Sequence, residues 1–599
     1  MKLIIDLEAD GLLYPWDGKV LTQVWCACGI DIETDEEYRW VLSDPDVVKN
    51  FLATLTQADL IIGHGLQRYD CRVLERFYGF TPRHILDTKI AASCIYPDLK
   101  TDDWRSKLTG KPWREVPTKL MGSHKLQAWG IRLGISKGEF RSYQDTQAEI
   151  NERFSIYTPE MLEYCMQDCR VTLALYQNLM AQNPSQEMLR LEHEFAAIMD
   201  QQIVNGFRLD IEGCNKLVCE LQIKRAKLDE ELKNLFPPRI IEYATPKKKL
   251  PKTKTIIFNP SSRDQITWNF IKKYGWKPVK FCEKNGKPQV DEAVLSELDY
   301  PEAKQLIEYL TIEKRLGQIA EGKNAWLKLV HSDGKIHGGV NTNGTVTGRC
   351  TFIAPNMGQV PRVGNPYGSE CRAVFLPDEG WDLIGCDAAG IQLRLLAHYL
   401  ARYDGGEYAR LVSTGDPHER NRQAFGVPTR DEAKTVLYAL LFGASPSKIG
   451  RITGRSEGES KDILNSFFRA VPAFKRLRND IGQAIKVRAH LIGLNGRRYP
   501  IRSPHVGLNV LLMGAEGVIM KQATINTHLL LDAKGLEHGK DYKQVVHVYD
   551  ENQFTAPSRY SPVVGESAAE AIVVAGQQFK LLCPLKGKFK IGKNWAETH

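Results

Sequence analysis

Two sets of carboxylates stand out in this chain, one near its beginning and one in its second half. Asp6 and Glu8 stand at i and i+2 in the apolar run MKLIIDLEAD, so on a strand both project to one face. Asp70 follows in HGLQRYD, Asp87 comes directly after Ile85-Leu86, and Tyr164-x-x-x-Asp168 has the i, i+4 spacing that stacks two side chains on one helix face. Carboxylates and a phenol in this order can hold two divalent cations roughly 3.5–4 Å apart, which activate a water and stabilise a leaving oxygen. Hard, oxygen-only ligation suits magnesium, with manganese able to substitute.

In the second set, Asp387 follows the apolar run Leu383 to Cys386 and leads through Ala388-Ala389-Gly390 into a helix predicted over Ile391 to Leu400. Far downstream, QVVHVYDENQF (Gln544 to Phe554) reads as two strands flanking Asp550-Glu551, an acidic pair at a hairpin turn. Brought together on one sheet, Asp387 and Asp550 could bind two magnesium ions that activate a hydroxyl and neutralise a triphosphate. Between them, Thr429-Arg430-Asp431-Glu432 reads as a capping-box helix start, and Gly443 as its close. Arg430, Lys434, Tyr438 and Phe442 recur every four residues and form one stripe. Cations at a helix N-terminus oppose its dipole, so they call for an anion such as a triphosphate, with the aromatics offering faces to a base.

The elements that must position these groups divide an α/β multidomain chain. Its 599 residues are too many for one core. Residues 1–185 open with a strand (Lys2 to Ile5), continue through a second (Ala58 to Ile62) and end in a helix over Pro159 to Ala181. Residues 186–325 are mostly long helices, interrupted by PKKKLPKTK at 246–254, a lysine loop that is either a solvated surface or a phosphate contact. The remainder, 326–599, alternates strands and helices. Composition is ordinary, 43% hydrophobic and 25% charged, and no apolar run approaches a bilayer span, so no membrane role is expected. The start resembles neither a signal nor a transit peptide, and the mature chain is expected to begin there. Thirteen scattered cysteines without a CxxC pair point to a reducing cytosol rather than to zinc or a disulfide framework. A net charge of +8 is only a weak hint of a polyanionic partner.

The first acidic set resembles the tyrosine-bearing branch of the DEDD 3′→5′ exonucleases. That resemblance implies an RNase H-like domain in which Asp6, Glu8, Asp70 and Asp168 ligate two Mg²⁺ ions and Tyr164 orients the attacking water, with Asp87 outside the set. One departure is Gly65, close to where that family often has asparagine, which leaves the strength of excision open. The second set, with Thr347-Gly348-Arg349, Pro355-Asn356, Gln359-Val360-Pro361, Asp416-Pro417-His418, Asn495-Gly496-Arg497-Arg498 and the fingers-like R-x-x-x-K helix, resembles the family A DNA polymerases over essentially the whole chain. The nearest form is the replicative polymerase of podovirus-type tailed phages.

The polymerase resemblance implies a right hand after the exonuclease, with thumb 186–325, palm 326–406 and 506–599, and fingers 407–505. Its metal ligands would be Asp387, Asp550 and the Ala388 carbonyl, again for two Mg²⁺, with Glu551 beside them. Arg430, Lys434 and His418 would hold the triphosphate, Lys434 would protonate the leaving pyrophosphate, and Tyr438 would stack on the nucleotide, with tolerance of dideoxynucleotides. Arg349, Gln359, Asn509, Met513 and Tyr549 would contact the duplex. Primer-template DNA and deoxynucleoside triphosphates are the implied partners, helicase-primase and single-stranded-DNA-binding protein the further ones, and the cytoplasm of an infected bacterium the place.

Three departures from the family pattern carry expectations of their own. The span Phe236 to Phe258 is too short for the thumb insertion that recruits thioredoxin, so no thioredoxin is expected. Gln392 and Phe442 replace a glutamate and a tyrosine that normally bond each other; Gln392 is still expected to block a ribose 2′-hydroxyl. Met513 and Tyr549 replace a glutamine and a histidine that face minor-groove acceptors. Losing the glutamine donor would suit DNA containing 2-aminoadenine, which puts an extra donor in that groove, or it is lineage drift. Two other readings remain: a polymerase-fold protein acting mainly as an exonuclease or DNA-binding factor, and a single-subunit RNA polymerase, which would lack the exonuclease.

Overall fold

The computed structural model describes residues 1–14, 18–135, 140, 144–243, 252–282 and 285–599. Lys247, Lys248 and Lys249 of the basic loop lie outside them. The chain separates into two compact units: 1–205 with 339–353 and 380–591, and 206–338 with 354–379 and 592–599. No helix among the described residues is long and apolar enough to cross a membrane.

The first unit holds two two-stranded sheets beside two larger ones. In one, the order is Glu37–Val41, Val24–Asp31, Lys2–Ala9, Leu60–Gly63, Ile85–Asp87. The first three run antiparallel and the last two parallel to Lys2–Ala9, the mixed arrangement expected of the RNase H-like fold. Lys2–Ala9 is covered on both faces, which is why it reads as a nearly unbroken apolar run. Leu3, Ile5 and Leu7 pack towards Phe51 and Leu55, while Ile4 packs with Cys165 and Cys169. Cys165 and Cys169 belong to the Pro159–Ala181 helix, started by Pro159 and by the Thr158 hydroxyl accepting from the Met161 N–H at 3.2 Å.

The other sheet is ordered Lys543–Val548, Glu551–Pro557, Trp381–Ala388, Gly587–Gly592. Trp381–Ala388 pairs antiparallel with Glu551–Pro557 so that Asp387 stands opposite Glu551. Behind the sheet, the 26-residue helix Gly507–Asp532 and the helix Ser561–Gln578 are buried along most of their length.

The second unit contains the long helices Ile211–Leu235 and Pro301–Leu316, and a hairpin of Arg239–Tyr243 with Lys252–Ile256. Its three-stranded sheet places Phe207–Leu209 between Phe375–Leu376 and Lys335–Ile336. Trp595 closes this core against Phe207 and Phe375.

Candidate active sites

The i, i+2 pair projects as expected: Asp6 and Glu8 share the face of Ile4, over which the Pro159–Ala181 helix lies. That helix brings Asp168 down onto them, so that oxygens of Asp6, Glu8 and Asp168 lie within 4.8 Å of one another. Three carboxylates this close repel unless a cation sits among them, so the donor set fits a hard divalent ion.

Asp70 is not one of those three. It is buried at the first position of the Asp70–Tyr78 helix. Burial pushes its carboxyl up to about 7; the Leu7 N–H, which lies between Asp6 and Glu8 in the chain, pulls the other way, and Asp87 adds to the rise. Tyr164 is buried too, its ring 5.2 Å from that of Phe140 and 6.4 Å from that of Phe154.

Asp87 has a different task. Its carboxylate accepts N–H groups from Gly65 at 2.9 Å, Gln67 at 3.2 Å, Lys89 at 2.8 Å and Ile90 at 3.4 Å. It therefore caps one helix and pins the loop that leads to Asp70. Gly65 itself has φ +78°, and a Cβ there would meet nothing within 4 Å.

At the second set, Asp387 is exposed at the end of its strand while its neighbours Cys386 and Ala388 point inward. The Ala388 N–H donates to the Asp550 carbonyl at 3.1 Å, which ties the two acid-bearing segments together. The turn consists of Tyr549 and Asp550 alone, because Val548 pairs with Glu551. The expected acidic pair at the turn is thus divided. Glu551 is the first residue of the returning strand and is buried, accepting from the Gln553 amide at 2.8 Å. Two-residue hairpins favour positive φ, and Tyr549 has φ +57°. Oxygen donors of this kind suit a hard divalent cation.

The Arg430–Leu441 helix begins as expected, the Thr429 hydroxyl accepting from the Glu432 N–H at 3.1 Å, and Gly443 follows it at φ +74°. The capping box is only half made, because the Glu432 carboxylate is drawn to Arg455 instead. Arg430 pairs with Asp416 at 2.9 Å and Lys434 is exposed. Burial and the nearby Lys434 lower the pKa of His418, so the ring is neutral at pH 7 and can donate an N–H; its Nδ1 is buried without a partner. The Tyr438 and Phe442 rings stack at 6.3 Å, and burial together with the nearby Asp550 raises the Tyr438 phenol. Gln392 is the second residue of the Ile391–Asp404 helix, half-buried.

Arg349 meets the Glu516 carboxylate and lies 5.6 Å from the Tyr549 ring centre. Asn509, Met513 and Glu516 share one face of the Gly507–Asp532 helix at i, i+4, i+7. Gln359, exposed, ends a short turn in the second unit.

Sequence reasoning missed Glu516, Glu192 and His193. Glu192 is buried; its carboxylate receives Lys521 at 2.6 Å, Asn343 at 2.8 Å and Arg497 at 3.4 Å. Next to it, His193 accepts the Asp87 N–H at 2.8 Å and bonds the Leu189 carbonyl at 2.7 Å. The Gln186–Asn205 helix thus touches both acidic regions. No periodicity marks these residues, since a buried acid on an amphipathic helix reads like a surface one.

Sequence and fold comparisons converge on one family. The profile of DNA polymerase family A matches residues 230–597. The DNA-directed DNA polymerase of Escherichia phage T7 is 33% identical over 716 aligned positions that cover all of both chains. The thermostable DNA polymerase I of Thermus aquaticus is 25% identical, over 74% of this chain and 52% of its own length. The polymerase domain of Pol1 from M. smegmatis, solved with primer-template DNA and dNTP, superposes with a TM-score of 0.74 at 16% identity, covering 99% of this chain and 95% of that one. The chain is therefore a member of DNA polymerase family A.

Proposed function

We propose that this protein replicates phage DNA, extending a primer on a template with deoxynucleoside triphosphates and excising mispaired 3′ ends through residues 1–185. The observation that carries the first activity is the bond from the Ala388 N–H to the Asp550 carbonyl, which holds the segments of Asp387 and Asp550 together at one end of the sheet. The convergence of Asp6, Glu8 and Asp168 carries the second. Residues 186–325 act as thumb, 326–406 and 506–599 as palm, and 407–505 as fingers.

Two magnesium ions at each site, when bound, supply the Lewis acidity that makes a hydroxyl or a water nucleophilic and offsets charge on the leaving group. Asp387, Asp550 and the Ala388 carbonyl would hold them in the palm; Asp6, Glu8, Asp70 and Asp168 would hold them in the exonuclease, where Tyr164 would orient the water. Arg430, Lys434 and His418 bind the triphosphate, which releases Arg430 from Asp416. As the primer 3′ oxygen bonds to the α-phosphorus and the α–β bridge breaks, Lys434 Nζ donates a proton to the departing pyrophosphate. Tyr438 stacks on the base, Gln392 occupies the space a ribose 2′-hydroxyl needs, and Arg349, Gln359, Asn509, Met513 and Tyr549 contact the duplex.

The reading places the protein in the cytoplasm of an infected bacterium, with helicase-primase and single-stranded-DNA-binding protein as partners and without thioredoxin. A preference for the 2-aminoadenine nucleotide is its finest extension, resting on Met513. Asp387→Asn and Asp6→Ala, assayed side by side for extension and excision, test the whole. Each is expected to lose one activity by about a thousandfold or more and keep the other, since several kcal/mol of charge stabilisation is removed. Loss of both activities in either variant would defeat the two-site assignment.

A further inference from the structure

Arg349 is held from two sides. Its guanidinium pairs with Glu516 and lies 5.6 Å from the Tyr549 ring centre, while its stem runs over Gly517, where an added Cβ would stand 3.7 Å from Arg349 Cγ. Glu516 is 3% exposed and Arg349 is half-buried, so the carboxylate side of this pair is fixed and holds the guanidinium fork more tightly than a fully exposed pair would. Part of the fork remains unused, since Arg349 Nε is buried with no partner. On the same helix face as Glu516 stand Met513, which has no donor to offer, and Asn509, whose Oδ1 is also buried without a partner.

We propose that Glu516 is a positioning residue for primer extension: it orients Arg349 so that the guanidinium donates to the minor-groove acceptor of the primer-terminal base. With methionine at 513, more of the test of that pair's shape falls to Arg349. Glu516 determines how stringent the test is. The acceptors it addresses, adenine N3 and its equivalents, occupy the same places in all four pairs, so the contact checks pairing without reading sequence. A free arginine on a long stem would sample many rotamers and lose entropy on contact; one clamped by a carboxylate below and an aromatic ring beside it has lost that entropy already. The inference rests on the proposed contact between Arg349 and the duplex.

The test is single-turnover extension by the full chain of two primers, one ending in adenine and one in 3-deazaadenine, which lacks the N3 acceptor. A phosphorothioate at the last linkage protects both from excision. The unaltered protein is expected to extend the 3-deazaadenine primer about tenfold more slowly, the value of one lost base contact. Glu516→Gln should slow the adenine primer to nearly the same rate, so that the difference falls to within about twofold. Glu516→Asp, which keeps the charge on a shorter stem, should restore part of it. Excision of single-stranded DNA should be unchanged in both variants, whereas a merely structural role would lower excision or slow both primers equally. A full tenfold difference in Glu516→Gln would overturn the role of Glu516 and leave the Arg349 contact standing. No difference in the unaltered protein would remove that contact, and the role of Glu516 with it.

Discussion

The two acidic regions of this polymerase solve one problem, gathering negative charge, in opposite ways. In the amino-terminal region the acids are assembled in advance: Asp6, Glu8 and Asp168 converge within 4.8 Å, and burial holds Asp70 near a pKa of about 7. In the second region, Asp387 is exposed and Asp550 sits on a turn, while the cations of the 430–441 helix face outward and Arg430 rests on Asp416. One strand and one helix bring Asp6, Glu8 and Asp168 together, and a second helix carries Asp70. On the proposed function, the second region is joined through the triphosphate, which the cations of the 430–441 helix would bind. If the proposed function holds, the difference teaches that a site for one strand end can gather its acids on a fixed scaffold, whereas a site for four nucleotides in turn would take its cations from a separate helix.

The comparison can be broken most decisively at Lys434. If the open palm relies on its cations only when the nucleotide is bound, Lys434→Ala should lower extension by about 100- to 10 000-fold, the range of general-acid catalysis, and leave melting temperature and excision unchanged. A drop in excision as well would mean that the two regions are not separable in this way. The linkage between them is tested next at Glu192. Glu192→Ala strands Lys521 and Arg497 as buried unpaired charges and should cost about 3–5 kcal/mol in denaturant unfolding, lowering both activities together on heating. A loss confined to extension would place Glu192 with the palm alone. The smallest effect concerns Met513. The unaltered protein should use the 2-aminoadenine nucleotide a fewfold better than dATP opposite thymine, and Met513→Gln should narrow the gap. Equal efficiencies in steady-state incorporation would assign the methionine to drift.

Much of this was legible because local rules sufficed. Asp6 and Glu8 share a face by the two-residue period of a strand, and Thr158-Pro159 and Thr429 start helices by backbone chemistry that a few residues determine. The hairpin misled by one residue, because Val548 pairs with Glu551 and a two-residue loop leaves room for Tyr549 and Asp550 only. What stayed hidden depends on partners distant in sequence. Glu516 acquires meaning from Arg349, 167 positions earlier, and Glu192 from Asn343, Arg497 and Lys521. An acid on a helix looks the same whether it meets water or a buried guanidinium, and only the fold decides which.

The Gln186–Asn205 helix also constrains how such an enzyme can change over generations. Met188 and Leu189 pack into the core around Trp129 and Leu175, His193 accepts the Asp87 N–H, and Arg502 reaches Asp98 at 3.0 Å. A deletion that removed the first 185 residues would bare those apolar side chains and leave the carbonyl of Asn495 without the Ser185 hydroxyl that bonds it at 2.6 Å. On the proposed assignment, a lineage under pressure to mutate faster would therefore have an easier route than discarding the domain: a single substitution at Asp6 or Asp168 should silence excision while the scaffold stays whole. Descendants that abandon proofreading should accordingly keep the exonuclease as an inert buttress, recognisable by its intact apolar strands around vanished carboxylates.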